Sequence, residues 1–387
     1  MGDAVPNNVG ADGSAGSPPT TPAKHSARNL SIEGLRGVAA FLVLISHING
    51  IAVKDKFAPA WQVWVDTELL SHLGAFGVCA FFCISGYLIV QSLMKYQDVG
   101  VFAFNRIKRI YPLFLAMHLV AFPAMLVLEK DFRASMPTVG EKVMHFFSNL
   151  LFLPGVWNLP IAQANAWSLS FEAIFYITSC FLFVGVKSDK GWMRVVSGTI
   201  GLTSALLLLF FRPYCWFFLM GALVYAMQVR QTSPRAWMVG PVGWIALVLA
   251  YISLPERGRL VSLMPMNPAA TPMEILVELG PYPFAFGFSF LFFATVVFQR
   301  GWLAKWLQHP WLVFLGTISY SLYLVHPFVL HPMAMVVKKL NSPLAAYGFI
   351  VFGLVASVLI SKWTYEWLEI RLGNWMFPKR LKPVVTA

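Results

Sequence analysis

The first apolar segment of the chain carries two ionisable side chains, Arg36 and His47, with ten residues between them. On an α-helix, eleven steps of about 100° make about three turns, so the two side chains lie on one face, ~16 Å apart along the axis. An ionisable group inside a membrane helix is costly and as a rule faces the bundle interior at a functional site. A structural hydrogen bond between helices is the alternative interpretation of the histidine.

Two later apolar segments each carry three polar side chains at helical spacing, so that each set falls on one face of its helix. The sets are Ser168, Glu172 and Tyr176, and Ser319, Tyr323 and His326. A carboxylate and two histidines at similar depth avoid contact with lipid. We therefore expect both sets to converge with His47 inside the bundle, towards its outer half.

A basic pair, Arg106 and Arg109, lies where a short loop meets the third apolar segment. The i, i+3 spacing lets both guanidinium groups reach one anion, and bidentate guanidinium binding suits phosphates. Simple anchoring at the cytoplasmic membrane surface is the alternative. Arg36 is expected near the same surface, which favours an anion site. Such a site would suit a phosphate-bearing donor from the cytoplasm and a hydroxyl-bearing acceptor from outside.

The composition is that of a polytopic membrane protein. Of 387 residues, 58% are hydrophobic and 12% are charged, whereas a soluble domain carries about 25% charged residues. The net charge of +12 is interpreted as the basic excess of cytoplasmic loops, not as a nucleic-acid surface. The four cysteines lie in apolar segments, offer no disulfide framework and make a poor zinc site, so we expect no metal.

Apolar runs predict an all-α membrane bundle of about ten spans. The runs are 36–53, 74–94, 110–128, 167–186, 194–211, 213–229, 238–254, 273–298, 311–330 and 344–363. A further run, 143–153, is short for a span and suits a re-entrant or interfacial segment. If it does not cross, most loop cations face the cytoplasm together with both termini, as the positive-inside rule favours.

Three regions are expected along the chain. Residues 1–29 are rich in Gly, Ala, Pro, Ser and Asn and have no apolar run, which predicts a disordered cytoplasmic tail and not a cleavable signal peptide. Residues 30–370 form the transmembrane domain. Residues 371–387 form a basic cytoplasmic tail. The multi-pass protein is expected in the cell membrane.

Five motifs in chain order resemble those of the acyltransferase-3 family of integral membrane acyltransferases. Its Arg-x10-His signature matches Arg36 and His47, and its Arg-x-x-Arg element matches Arg106 and Arg109. The remaining motifs are FFCISGYLI at 81–89, WSLSFEAIFY at 167–176 and ISYSLYLVH at 318–326. The resemblance covers residues 30–370 and implies an O-acyltransferase, commonly an O-acetyltransferase, that uses acetyl-CoA or another acyl-CoA. Family members modify extracytoplasmic sugars or, in some cases, macrolides and other small hydroxyl compounds, and glycan-assembly proteins are candidate partners.

Chemistry assigns roles to the matched residues. His47 is the expected general base, because an imidazole titrates near working pH, and Glu172 is expected to orient it. Arg106 and Arg109 are expected to hold CoA phosphates, with Arg36 joining them or positioning the donor. Four further residues are candidates for holding the acceptor or the developing oxyanion: Ser168, Tyr176, Tyr323 and His326. Ser85 and Ser319 are candidate acyl carriers, and direct transfer stays open beside them.

The sequence departs from the family pattern at two points. The chain has Glu369-Ile370-Arg371 where the family often has Glu-Arg-Pro, so no role is carried onto Glu369. It ends at Ala387 without the extracytoplasmic hydrolase-like domain of some members, so the membrane domain is expected to act alone or with a partner.

Two other functions are possible interpretations of the sequence. A proton-coupled transporter or flippase also suits intramembrane His and Glu, although no inverted repeat is visible. A non-catalytic scaffold would not need buried charges.

Overall fold

The computed structural model describes residues 28–55, 67–157, 159–163, 165–230, 238–255, 273, 280–340 and 342–378. Every regular element within these ranges is helical. The helices are α1 (Leu30–Lys54), α2 (Thr67–Tyr96), α3 (Val99–Leu128), α4 (Lys130–Ala134), α5 (Val139–Leu150), α6 (Ala166–Lys187), α7 (Gly191–Phe211), α8 (Cys215–Val229), α9 (Val242–Ile252), α10 (Pro281–Val297), α11 (Gly301–Leu307), α12 (Pro310–Thr317), α13 (Ser319–Leu340), α14 (Pro343–Thr364), a π-helix (Tyr365–Leu372) and α15 (Gly373–Met376). The predicted disordered tail lies, up to residue 27, outside the described residues, as does most of the basic C-terminal tail.

The helical membrane bundle is confirmed. Seven helices in the described ranges are long and apolar enough to cross a bilayer, and α10 with α11, bent by 63°, makes an eighth if the pair is one span. Together with the shorter apolar helices α8 and α9, these helices give one helical segment for each of the ten predicted runs.

The predicted run 311–330 needs a new boundary. The structure divides it at Ile318, which has φ −92° and ψ 6° and ends α12. The long apolar helix is α13, from Ser319 to Leu340. Hydropathy shows no sign of this break, because Ile318 is as apolar as the helices on either side of it.

The short run 143–153 falls largely in a separate helix. This helix is α5, which has 12 residues and a length of ~18 Å, against ~30 Å for the hydrocarbon core. Its start is fixed by a capping box: Thr138 Oγ1 accepts from Glu141 N at 3.2 Å, and Glu141 Oε2 accepts from Thr138 N at 2.8 Å. The helix is too short to cross the membrane. The membrane side on which it lies stays a prediction.

Close backbone contacts set the position of α1. A Cβ atom on Gly34 would lie 1.7 Å from the carbonyl oxygen of Leu307, and one on Gly316 would lie 1.8 Å from that of Glu33. Only glycine permits this approach, which seats the start of α1 against α11 and α12. Ser31 Oγ donates to the Ala304 carbonyl at 3.0 Å across the same contact. Arg36, one turn further on, is thereby placed at a fixed depth.

Candidate active site

A polar cavity of about 80 Å³ lies where α1, α2, α3, α6 and α13 meet. Seven of the nine predicted site residues line it: Arg36, Arg106, Arg109, Ser168, Glu172, Tyr176 and Tyr323. The other two, His47 and His326, form an edge-to-face pair with ring centroids 4.9 Å apart. Tyr323 joins the two groups, because it lines the cavity and its ring lies 6.4 Å from that of His326. The structure therefore brings the predicted residues into one site.

The three arginines of the polar cavity differ in how the protein holds them. Arg106 donates to Ser92 Oγ at 2.6 Å and to the Leu88 carbonyl at 3.4 Å. Arg36 lies 3.6 Å from the carboxylate of Glu33. Arg109 makes no hydrogen bond or ion pair with any described residue, although it lines the cavity.

The Arg109 guanidinium, whose interaction with Glu369 is electrostatic only, therefore keeps its hydrogen-bond donors for a ligand. The Glu33 carboxylate is shared with Arg28, which contacts it at 2.8 Å. With Glu33 and Arg28 paired, the three arginines of the cavity face two nearby carboxylates, Glu172 in the cavity wall and Glu369 beside Arg36 and Arg109, which leaves an excess of one positive charge. A guanidinium without a protein partner at a low-dielectric site binds anions strongly.

The Glu172 carboxylate belongs to the wall of this cavity. It accepts from Ser85 Oγ at 3.1 Å and from the hydroxyl of Tyr176 through a short hydrogen bond. The Arg106 guanidinium lies 5.6 Å from the centre of the Tyr176 ring, so the carboxylate is tied through Tyr176 to the basic end of the site. The predicted role of Glu172 in orienting His47 stays a prediction.

The protonation of His326 follows from its hydrogen bonds. Its Nδ1 lies 2.7 Å from the Leu322 carbonyl oxygen, which can only accept, so Nδ1 carries the proton. Its Nε2 is then an acceptor, and the Asn165 side-chain amide lies 3.3 Å from it. His326 is fully buried and is held as the neutral tautomer by contacts on both ring nitrogens.

Asn165 also compensates for a proline within α13. Pro327 lacks an N–H group, so it cannot donate the usual i to i−4 helical hydrogen bond to the carbonyl of Tyr323, four residues earlier. Asn165 Nδ2 donates to that carbonyl at 2.8 Å. Asn165 therefore supplies the hydrogen-bond donor that Pro327 cannot, and at the same time contacts His326.

The hydroxyl groups of Ser168 and Tyr323 complete the link between α6 and α13. Their oxygens lie 2.7 Å apart, and the Tyr323 hydroxyl is also 3.1 Å from the Asn165 carbonyl. Asn165 was missed in the sequence, although its position directly before the apolar run of α6 is one that polar capping residues favour. Nothing in the sequence relates it to Pro327, 162 positions away.

Metal ligation finds no support in the described ranges, where no group of three or more His, Cys, Asp or Glu residues could hold an ion. The four cysteines are free. Cys79, Cys83 and Cys215 are buried, and Cys180 is partly exposed.

Comparisons with known proteins point to acyltransferases. A family model described as an acyltransferase domain matches residues 29–362. A Staphylococcus aureus (strain COL) protein with a provisional O-acetyltransferase name is 24% identical over 404 residues, which cover 89% of this chain and 58% of the relative. Peptidoglycan O-acetyltransferase OatA of Listeria monocytogenes is 26% identical, over 76% of this chain and 48% of the relative. The acyltransferase MdmB of Streptomyces mycarofaciens is 33% identical over 155 residues, which cover 38% of this chain and 37% of MdmB.

The chain thus spans little more than half the length of the first of these relatives. No solved structure matches it.

Proposed function

Because the chain belongs to the acyltransferase-3 family, we propose that it is a membrane O-acyltransferase that moves an acyl group, most simply acetyl, from acyl-CoA to a carbohydrate hydroxyl outside the cytoplasm. The observation that carries this proposal is the polar cavity described above. Arg36 and Arg109 line it, and Tyr323 connects it to the paired rings of His47 and His326. Anion binding and hydroxyl deprotonation are the two tasks that such a transfer requires.

The donor is proposed to enter from the basic end. Arg109 makes no hydrogen bond or ion pair with a described residue, and Arg36 shares the Glu33 carboxylate with Arg28; both guanidinium groups suit phosphates. Arg36 and His47 are ~16 Å apart along α1. A donor with a long flexible arm between its phosphates and its thioester, as CoA has, can bridge that separation.

The reaction is an attack by the acceptor hydroxyl on the thioester carbonyl. A C–O bond forms, the C–S bond breaks, and the hydroxyl proton passes through the base to the CoA thiolate, giving an ester and free CoA. We assign the base to His47, because it is the histidine of the family's Arg-x10-His motif and an imidazole titrates near working pH; the Leu322 carbonyl and Asn165 hold the ring of His326 beside it. The Ser168 and Tyr323 hydroxyls, which here bond each other and the Asn165 carbonyl, would redirect one of their two protons to the oxyanion that develops on the thioester carbonyl.

The acceptor is proposed to be a cell-surface carbohydrate. The name of the Listeria relative specifies peptidoglycan, and a second relative is an acyltransferase without a named acceptor. The carbohydrate would meet the site at the histidine end, opposite the arginines. This assignment requires the cytoplasmic side to lie at the arginine end, both termini to be cytoplasmic, and the protein to reside in the cell membrane.

Purified protein in lipid nanodiscs tests the proposal. It is incubated with acetyl-CoA labelled in the acetyl group and with peptidoglycan fragments or extracted surface polysaccharide. We expect base-labile label on the carbohydrate and one equivalent of free CoA per ester. His47→Ala should abolish transfer, whereas His331→Ala, which changes an exposed histidine of α13, should leave it unchanged. Normal turnover by His47→Ala would overturn the base assignment. Absence of CoA release from the native protein with every acceptor would overturn the enzyme proposal.

A further inference from the structure

A second and larger cavity opens on the side of the bundle, between α3, α6 and α7. This lateral groove has a volume of about 620 Å³, within the range of small-molecule pockets. Along α6 it extends from Leu169 to Val184, which is ~22 Å of helix. Its described lining is apolar apart from a few hydroxyl and thiol groups and the one charged residue Arg106.

The lateral groove is continuous with the polar cavity. Four residues line both spaces: Arg106, Ile110, Leu169 and Tyr176. Arg106 is held on the α2 side by Ser92, and Tyr176 is held by Glu172. Ile110 and Leu169, which have no polar side-chain atoms, form the remaining wall between the two spaces.

The two spaces differ in what they can hold. The polar cavity, at about 80 Å³, is well below the size of a pocket for a whole ligand and has no room for a long acyl chain beside the reacting end of the donor. The lateral groove begins at Leu169, directly after Ser168, whose hydroxyl contacts Tyr323. A chain attached to a thioester at Ser168 and Tyr323 therefore needs only to pass Ile110 and Leu169 to enter an apolar space.

We propose that the lateral groove binds the hydrocarbon chain of an acyl donor longer than acetyl, so that the substrates include medium-chain acyl-CoA. This inference rests on the proposed function, because the thioester must occupy the polar cavity. The transfer is balanced as before, with the longer acyl group forming the ester and CoA leaving as the thiol. Each methylene that moves from water into the groove should tighten binding roughly two- to fourfold, up to the length of the groove.

Competition binding tests the proposal without an acceptor. Labelled acetyl-CoA is bound to the protein in nanodiscs and is displaced by unlabelled acetyl-, butyryl-, hexanoyl- and octanoyl-CoA. We expect the apparent affinity to rise with each added pair of carbons. In Ala173→Trp, which fills the middle of the groove, the rise should disappear while the affinity for acetyl-CoA stays unchanged. Leu206→Trp, on a lipid-facing position of α7 that is 58% exposed, is the matched control and should keep the native profile.

A second measurement uses the native protein and does not depend on the folding of Ala173→Trp. Cys180 lines the lateral groove and is partly exposed, whereas Cys79, Cys83 and Cys215 are buried. Octanoyl-CoA should slow the modification of Cys180 by N-ethylmaleimide, read by mass spectrometry, and acetyl-CoA should not.

The outcomes separate this inference from the proposed function. Binding of acetyl-CoA with affinities that do not change with chain length, and no protection of Cys180, would overturn the groove assignment and leave the enzyme proposal standing; the groove would then hold ordinary bilayer lipid. Failure to bind any acyl-CoA would overturn both.

Discussion

The contact between Asn165 and the Tyr323 carbonyl, to which Pro327 cannot donate, allows a quantitative test. Asn165→Ala removes the donor to the buried Tyr323 carbonyl, 2.8 Å away, and the contact with His326 Nε2, 3.3 Å away. Removing a donor from a buried carbonyl costs about 1–3 kcal/mol, and a lost neutral hydrogen bond is worth about 0.5–1.5 kcal/mol. Because the second contact is long, we expect the free energy of unfolding to fall by about 1.5–3 kcal/mol.

The same geometry predicts a rescue. Pro327→Ala restores a backbone N–H that can bond the Tyr323 carbonyl within α13. In that background, Asn165→Ala should cost only the contact with His326, about 0.5–1 kcal/mol. The double-mutant cycle should therefore give a coupling energy of about 1 kcal/mol or more between two residues that are 162 positions apart.

The assay is reversible unfolding in mixed micelles, with the unfolded fraction followed by circular dichroism for the native protein, both single variants and the double variant. Asn165→Ala should also reduce transfer activity, because His326 loses the contact that holds its ring beside His47. Strictly additive effects of Asn165→Ala and Pro327→Ala would refute the argument, because they would show that the asparagine does not serve the carbonyl freed by the proline.

Three further predictions concern the donor end of the site and the orientation of the protein in the membrane. Arg109→Ala should raise the KM for acetyl-CoA roughly 10- to 100-fold, since a charge-assisted hydrogen bond is worth about 1.5–3 kcal/mol, and should have much less effect with acetyl-pantetheine, which lacks the nucleotide phosphates; equal losses with both donors would assign Arg109 to folding. Arg106→Ala should lower affinity and stability together, because Arg106 also bonds Ser92, and unchanged stability would contradict that structural role. In a background without native cysteines, a cysteine at Ser188 should resist a membrane-impermeant thiol reagent in intact cells and one at Ser253 should react; the reverse pattern would place the arginines outside.

The residues that define the site could be predicted to a large extent from the sequence, because helical spacing is a local property. The periodicity of Arg36 and His47, and of the two polar sets, correctly indicated faces that meet inside the bundle. The break at Ile318 was not predictable, because it lies between two apolar stretches. Asn165 was missed for a different reason: its role depends on a carbonyl of another helix, and only the packing of α6 against α13 creates that pairing.

The sequence also did not predict that the site divides into two parts, one with Glu172 and the arginines and one with the two histidines. Glu172 was expected beside His47, and its hydrogen bonds run to Ser85 and Tyr176. Residues four apart on one helix lie ~6 Å apart along its axis, so Ser168 can meet Tyr323 while Glu172 faces the arginines. The order of residues along α6 sets this division, and the depth of the partner helices had to be known before it could be recognised.

The glycine contacts of α1 have a consequence for how the protein is made. Gly34 and Ser31 pack against Leu307 and Ala304, which are synthesised about 270 residues later; at ordinary translation rates that interval is roughly 15–55 s. During this time α1 is in the translocation machinery or the bilayer with a charged arginine and no neighbour from the last third of the chain. The nascent protein therefore depends on its C-terminal helices to shield its first one, and a ribosome that stalls before α11 leaves a polar helix face open to the lipid and to membrane proteases.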